Sequence, residues 1–414
     1  MKKSTKSDLE QQLERLAEDD IRMCGKKSVS YANTLRVLAR VQVRAGKLTL
    51  AERNLKRSVK ILKESSDADP SDLAKATAQL GCLYQSTDRP DDANPLLQFA
   101  ASHRGSVEPA ELFSVLWALG MVHFVQKDFE GAVRTLNEAK IVAADLFGSE
   151  SNQVATLNGA IGRSHWKLNN LDEASVHLRQ SLDYRMEVFR CNPETKVVDR
   201  EVSLGSDPDL IDLHFELGTL YYQSDNHEEA EAILRPALRA IDSDLGQDHY
   251  LCGRFLHLLA LVRAVQGDNA EAEQLLLRAI EMKKSIAGEE GERSVSDSAF
   301  ELGKIYFDQQ RYDDANLLLI HAWDWRPKRY RSDRRSGEIQ GYTGMTFKHQ
   351  GEYTLAEVFL KCSLEVFDAC DGPGSTAVAI VLRDLAVVCD ALGKSKSAAA
   401  YLSRANDIGA NEAP

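Results

Sequence analysis

Small and apolar residues recur along this chain at a fixed spacing. A glycine or alanine is followed twelve positions later by an alanine, and a leucine stands four positions after that alanine. The pattern occurs nine times at intervals of about 42 residues, with its alanines at Ala51, Ala93, Ala132, Ala174, Ala230, Ala272, Ala315, Ala356 and Ala398. Two helices approach closely only where side chains are small. The pattern therefore predicts nine pairs of antiparallel helices with leucines filling each seam.

Turn signals separate the two predicted helices of each pair. Gly267-Asp268-Asn269 and Gln350-Gly351 are residues that end one helix and begin the next. A single helical hairpin leaves a second apolar face exposed, so hairpins must stack on one another. The predicted fold class is all-α, an α-α superhelix or solenoid of nine helical hairpins with an additional N-terminal helix.

Two segments carry a resemblance to a known family. Leu-Gly-Thr-Leu-Tyr at residues 217–221 with Ala230, and Leu-Gly-Lys-Ile-Tyr at residues 302–306 with Ala315, resemble the tetratricopeptide repeat (TPR). The period of about 42 residues is similar to that of the kinesin-light-chain-like subtype, and the resemblance spans about residues 30–406. It implies that the first helix of each hairpin lines a concave groove that binds a peptide or protein segment.

Departures from the period predict the domain organisation. One interval is 56 residues long, and its extra residues contain helix breakers such as Pro193 and Pro208. Leu9, Leu13 and Leu16 at helical spacing predict an amphipathic helix that caps the stack, with a partner-binding segment as the alternative. The expected ranges are 1–29 for a capping helix, 30–190 for hairpins one to four, 191–209 for an inserted loop, 210–407 for hairpins five to nine and 408–414 for a flexible tail.

The resemblance implies a set of residues that face the groove. The hypothesis is a peptide site in which rings form pockets for anchor side chains and cations bind carboxylates or carbonyl groups. The alternatives are that single aromatic residues pack between repeats and that the arginines form a solvated helix face. The predicted peptide-binding residues are Asn33, Arg36, Arg40, Arg44, Lys75, Trp117, Met121, Phe124, Arg163, Trp166, Phe215, Thr219, Tyr222, His257, Phe300, Lys304 and Phe307.

A basic segment between hairpins seven and eight has three possible interpretations. It could bind nucleic acid, bind an acidic protein, or be neutralised by nearby Asp and Glu residues of the same chain. Trp323, Trp325 and Tyr330 lie among its cations, which are Arg326, Lys328, Arg329, Arg331, Arg334 and Arg335.

Composition narrows the functional classes. The chain has 51 basic and 63 acidic residues and a net charge of −12, which disfavours a protein that coats nucleic acid through phosphate contacts. Its 7 cysteines are scattered without a Cys-x-x-Cys pair, which favours free thiols in a reducing compartment and no metal site. No apolar stretch is long enough for a transmembrane helix, and no export signal is recognisable at the start. The expected location is cytoplasmic.

No catalytic or cofactor-binding motif is present. The sequence lacks phosphate-binding glycine motifs, His-Glu-x-x-His and Gly-x-Ser-x-Gly. We therefore expect no enzyme activity and no cofactor, and a function as an adaptor with a protein or peptide partner. The alternative is a regulatory sensor or scaffold whose superhelix changes on ligand binding and controls a separate effector enzyme.

Overall fold

The structure is a computed structural model and describes residues 8–191, 208–246 and 249–411. The regular structure of these ranges is helical, with nineteen α-helices and two short 3-10 turns at Arg104–Ser106 and Lys328–Tyr330. The helices are α1 (Asp8–Cys24), α2 (Val29–Arg44), α3 (Leu48–Glu64), α4 (Pro70–Ser86), α5 (Pro90–Ser102), α6 (Pro109–Val125), α7 (Phe129–Phe147), α8 (Asn152–Lys167), α9 (Leu171–Cys191), α10 (Pro208–Gln223), α11 (His227–Leu245), α12 (Tyr250–Val265), α13 (Asn269–Lys284), α14 (Glu289–Asp308), α15 (Tyr312–Trp325), α16 (Arg334–His349), α17 (Tyr353–Cys370), α18 (Thr376–Ala391) and α19 (Ser395–Asn411).

The chain divides into two compact units, residues 1–198 and 199–414. In each unit the helices pair as consecutive hairpins: α2 with α3 through α8 with α9 in the first unit, and α10 with α11 through α18 with α19 in the second. The all-α fold built from stacked hairpins is confirmed. Most of the predicted inserted loop, residues 192–207, lies outside the described residues.

Close packing within each hairpin depends on the predicted small residues. A methyl group built on Gly120 would lie 2.6 Å from the side chain of Leu136, and one on Gly218 would lie 2.5 Å from Leu234. The alanines and leucines of the first eight repeats are almost fully buried. Where glycine holds this position, the seam therefore depends on the absence of a side chain on the first helix. In the first, sixth and ninth hairpins Ala39, Ala260 and Ala386 place a single methyl group there.

The turn inside every hairpin has the same geometry. One residue adopts a positive φ angle, and the next residue donates its backbone N–H to the carbonyl oxygen five residues earlier, as Lys47 does to Gln42. This 6→1 bond is the Schellman motif that ends helices. Glycine holds the positive-φ position in four of the nine turns of the described ranges; the residues, in chain order, are Gly46, Asp88, Lys127, Asn169, Asp225, Gly267, Gln310, Gly351 and Gly393.

The two ends of the stack differ from the expectation. Leu9 and Leu16 of α1 are about half exposed, whereas Ala17 and the carboxylate of Glu10 are buried, with Glu10 paired to Lys47 at 2.6 Å. The face of α1 that packs on the first hairpin therefore contains Glu10, Ala17 and Ile21, whereas Leu9 and Leu16 of the predicted stripe lie outside it. At the other end, Ile408 is buried within α19, so the predicted flexible tail does not begin at residue 408.

Within the described ranges, no helix combines the length and the apolar character that crossing a bilayer requires.

Candidate functional site

First helices lie on the inner side of the first unit. α2 contacts α4 and α4 contacts α6 directly, whereas the second helices of neighbouring hairpins contact one another less in the described structure. A cavity of about 860 Å³, here called the basic groove, lies along these first helices. Its lining residues are Arg36, Val37, Arg40, Val43, Arg44, Leu55, Lys75, Ala78, Gln79, Cys82, Leu83, Ser86, Glu108, Ala110, Glu111 and Ser114.

Four predicted cations meet in the basic groove. Arg36, Arg40 and Arg44 follow one face of α2 at intervals of four residues, and Lys75 extends from α4. In the described part of the chain none of the four has a carboxylate oxygen within 4.0 Å. Their positive charge is therefore available to a ligand.

Buried polar atoms around the groove also lack partners among the described residues. They are the Nε of Arg36, the Oδ1 of Asn33 and the Oε1 of Gln79. A buried polar group without a hydrogen bond costs about 1–3 kcal/mol. These three atoms are enclosed by protein, and Asn33 does not line the cavity, so they do not by themselves mark a contact with a ligand.

Two carboxylates on α6 complete the groove. Glu108 precedes Pro109 at the helix start, and Glu111 in the first turn accepts a hydrogen bond from the Nε2 of Gln79 at 3.2 Å. The sequence analysis missed both residues because acidic residues in a first helical turn are usually explained by the helix dipole.

Trp117 lies in a second cavity of about 300 Å³, here called the Trp117 pocket, which adjoins the basic groove. Cys82 and Ser114 line both cavities. Met121 and Phe124, also predicted, pack against the core of the third hairpin, and Phe124 contacts Phe129 edge-on at 5.4 Å. Trp117 packs against the same core, but unlike the other two it also lines the cavity next to the basic groove. The remaining lining residues are Gln85, Phe113, Ala118, Asn152, Gln153 and Thr156.

Arg163 and Trp166 do not join this site. Both are partly buried on α8 and lie outside the two cavities.

In the second unit the predicted site residues interact mainly with one another. Arg254 stacks on the ring of Phe215 at 4.0 Å and pairs with Asp212 at 2.9 Å. The hydroxyl of Thr219 donates to the carbonyl of Phe215 within its own helix. These groups are already engaged by protein atoms.

Tyr222 faces a charged cluster on the inner side of the second unit. Burial and the nearby Glu301 carboxylate raise the pKa of the Tyr222 phenol. Glu301 pairs with Lys304 at 3.1 Å and with Arg335 at 2.8 Å. The predicted cation Lys304 is therefore neutralised within the chain.

Phe300 was predicted to bind the peptide, but its side chain is buried in the core. Its side chain is 1% exposed, because it packs in the core of the seventh and eighth hairpins beneath Lys304 and Arg335. Phe307 contacts Tyr342 edge-on at 5.5 Å and packs against the same core. For these two aromatic residues the packing alternative explains the contacts.

His257 belongs to a buried polar cluster. Its Nδ1 lies 2.9 Å from the Oγ of Ser298, which also accepts a hydrogen bond from Lys283 Nζ at 2.7 Å. Burial lowers the pKa of His257 well below its usual range, and the nearby Lys283 and Arg335 add to this effect. A neutral, enclosed imidazole is poorly suited to binding an anionic ligand.

Lys283 gives a pH-dependent prediction. Its side chain is 4% exposed, and burial lowers its pKa to about 8. The folded state therefore binds fewer protons than the unfolded state between pH 8 and about 10.5, so stability from this group rises with pH across that window. We expect Lys283→Met to stabilise the protein at pH 7 by on the order of 2 kcal/mol, with the gain disappearing by pH 10. Urea unfolding of both proteins at pH 7 and 10 measures this difference; a variant less stable than wild type at pH 7 contradicts it.

The basic segment is largely neutralised by the chain itself. Arg326 is 1% exposed and pairs with Asp297 at 3.0 Å and with Asp333. Arg329 pairs with Glu289 and Glu290.

The other cations of this segment follow the same trend. Arg334 pairs with Asp371, and Arg335 with Glu301 and Glu338. Arg331 donates to the carbonyl of Arg326 at 3.1 Å and stacks on Trp323. Lys328 is exposed, with no carboxylate oxygen within 4.0 Å in the described ranges. Of the three interpretations, the observed contacts support intramolecular neutralisation.

No metal site is evident either: within residues 8–191, 208–246 and 249–411, no three His, Cys, Asp or Glu side chains are grouped so that they could hold an ion.

Comparisons with known proteins identify the repeat. Tetratricopeptide repeat models match residues 111–187, 209–285 and 337–408, and a second such model matches residues 258–319. No curated protein matches this sequence.

Two solved structures share this fold, and a third is a weaker match. The apo form of RapI matches with a TM-score of 0.58 and 14% identity, covering 91% of this chain and 97% of its own. The apo form of the quorum sensor NprR from B. thuringiensis matches with a TM-score of 0.55 and 15% identity, covering 97% of this chain and 99% of its own. The nearly identical TPR-like repeats of a Podosopora anserina kinesin light chain match with a TM-score of 0.43 and 18% identity, covering 53% of this chain and 99% of their own. At these identities, RapI and NprR show a shared fold alone.

Proposed function

Because this chain belongs to the tetratricopeptide repeat family, we propose that it is a non-catalytic adaptor that binds an extended peptide segment of a partner protein in the basic groove and the Trp117 pocket. The observation that carries the proposal is the set of four cations without carboxylate partners among the described residues, around a groove that continues to a half-buried indole.

Each part of the site suits a peptide. Guanidinium groups bind carboxylates through charge-assisted hydrogen bonds, which are stronger than neutral ones. A peptide backbone offers one carbonyl acceptor per residue, which suits the N–H donors of Arg36, Arg40 and Arg44 in the groove lining. An indole at the centre of an interface typically contributes about 2 kcal/mol or more to binding. Together these groups can fix an extended segment along the first helices.

Substitutions in the groove should abolish partner capture. We expect Ser114→Trp to fill the junction of the two cavities without disturbing the core, because Ser114 is exposed and its hydroxyl bonds only to the Ala110 carbonyl of its own helix. Arg40→Ser combined with Trp117→Ala should reduce partner affinity at least 100-fold, since it removes a cation and an aromatic anchor. Quantitative mass spectrometry of proteins captured from native lysate measures the loss.

A matched control is Arg53→Ser with Leu146→Ala, two exposed positions on second helices outside the groove. A partner lost with both groove variants and retained by the control supports the proposal. If every captured protein binds all variants equally while circular dichroism shows normal helix content, the groove is not the binding site.

A regulatory sensor is the second candidate. It is favoured by ion pairs that join first helices of different hairpins, such as Arg254 with Asp212 and Arg335 with Glu301, because a ligand that changes hairpin spacing would alter them. Small-angle scattering with and without a captured partner peptide separates the two functions: a changed profile favours the sensor, and an unchanged profile favours the adaptor.

A further inference from the structure

Positive and negative groups occupy opposite sides of the basic groove. All four cations project from α2 and α4, whereas Glu108 and Glu111 lie on α6. Gln79 lies between the two sets and binds Glu111 through its Nε2. The charge of the groove therefore changes from positive at α2 and α4 to negative at α6.

The two signs do not cancel across the groove. Among the described residues neither Glu108 nor Glu111 has a cationic nitrogen within 4.0 Å. In the basic segment, by contrast, Arg326, Arg329 and Arg335 each have such a partner. Charges held apart in one cavity suit a ligand that carries both complementary charges.

Helix spacing sets the distance between those charges in the ligand. Packed helices lie about 8–10 Å apart, so the axes of α2 and α6 are roughly 16–20 Å apart, which is the upper limit for the separation of the charges. Some charges are closer, because Lys75 lies on α4 and Glu111 reaches Gln79 on that same helix. An extended chain advances about 3.3 Å per residue, so the upper limit corresponds to roughly five or six residues. Trp117 lies six positions beyond Glu111 on α6, which adds about 9 Å, or roughly three residues.

We propose that the basic groove selects a bipolar segment: an acidic residue opposite α2 and α4, a basic residue at most about five or six positions away opposite Glu108 and Glu111, and an apolar residue about three positions further in the Trp117 pocket. This inference rests on the proposed peptide-binding function and names the class of segment recognised. A uniformly acidic segment or a polyphosphate is disfavoured because it would place negative charge against α6.

Selection from a library of random 16-residue peptides displayed on phage tests the charge order directly. Wild-type protein should enrich peptides with the acidic, basic and apolar positions in that order. Arg40→Glu should weaken the acidic preference, because three of the four cations remain, and leave the basic preference unchanged. Glu111→Lys should remove only the basic preference, because the new lysine offsets the charge of Glu108. For one synthetic wild-type peptide, each charge reversal should weaken binding about tenfold or more.

Matched controls separate local charge from long-range effects. Arg53→Glu reverses an exposed arginine on α3 outside the groove. Glu130→Lys reverses an acidic residue in the first turn of α7, the position that Glu111 has in α6. Neither control should change the enriched motif.

The outcomes distinguish this inference from the proposed function. If selected peptides bind and depend on Trp117 but show no charge order, or if both reversals change the same position, the bipolar inference is wrong and peptide binding stands. If no peptide is enriched by folded wild-type protein, or if enriched peptides bind Ser114→Trp unchanged, both proposals fail.

Discussion

Gly162→Val is expected to lower the free energy of unfolding by roughly 3 kcal/mol, because overpacked helix seams cannot relax without backbone movement. A methyl group on Gly162 of α8 would lie 3.0 Å from the backbone nitrogen of Leu178 and 3.1 Å from the carbonyl oxygen of Ala174. Both contacts involve the backbone of α9, so a side-chain rotation cannot relieve them. The hairpin would have to separate along its whole seam. Urea unfolding followed by circular dichroism measures the change.

Alanine substitutions provide graded controls for this seam. Glycine to alanine usually stabilises a helix by about 1 kcal/mol, yet at Gly162 we expect the sign to reverse. Gly303→Ala should be milder, because its nearest atoms are side-chain atoms of Leu319 at 3.0 Å and the nearest backbone oxygen is at 3.6 Å. Gly105→Ala, with no atom within 4 Å, should be nearly neutral. Equal effects at all three positions would show that seam packing does not decide stability.

Arg326→Met is expected to destabilise the second unit by about 3 kcal/mol. The guanidinium is buried and holds Asp297, Asp333 and the Oγ of Ser336, the last at 2.9 Å. Asp333 also caps α16 by accepting from the backbone N–H of Ser336. Removing the cation would take the closest ion-pair partner from both carboxylates, leaving Asp297 only the longer pairs with Arg293 at 4.0 Å and Arg335 at 3.9 Å, and would weaken the start of that helix. We expect a loss of stability at the lower end of the range typical for breaking a buried ion pair, because both carboxylates are partly exposed.

A second substitution tests the cause of that loss. Arg326→Met combined with Asp297→Asn should recover part of the stability, since fewer uncompensated charges remain. Lys328→Met, at an exposed neighbour, should change stability by less than about 0.5 kcal/mol. Thermal unfolding of the four proteins gives the comparison. No loss in Arg326→Met would mean that the segment is not held by these ion pairs.

The hairpins could be predicted from the sequence because the residues that specify each one lie within a single repeat. Gly162, Ala174 and Leu178 lie within one repeat, and their spacing alone requires two closely packed helices. The basic stripe of α2 was also predictable, because Arg36, Arg40 and Arg44 follow helical periodicity.

Which other residues line the groove depends on how one hairpin is rotated against the next. Gln79 contacts Glu111, and Cys82 contacts the carbonyl of Ser114, both across 32 residues rather than the 39 that separate Gly81 from Gly120. The groove therefore runs diagonally toward the start of the next first helix. For this reason Glu108 and Glu111 line it although they are not at the positions equivalent to Arg36 or Arg40.

What the sequence determined by itself is the repeat, its helices and the small residues at each seam, because a helix pair is specified by side-chain size and spacing. Only the tertiary structure decided which charges are free and which are paired. Arg326 and Arg40 look alike in the sequence, yet one is buried between carboxylates and the other lines an open groove. That difference arises from contacts between hairpins, where neighbours distant in the chain determine the charge that each side chain meets.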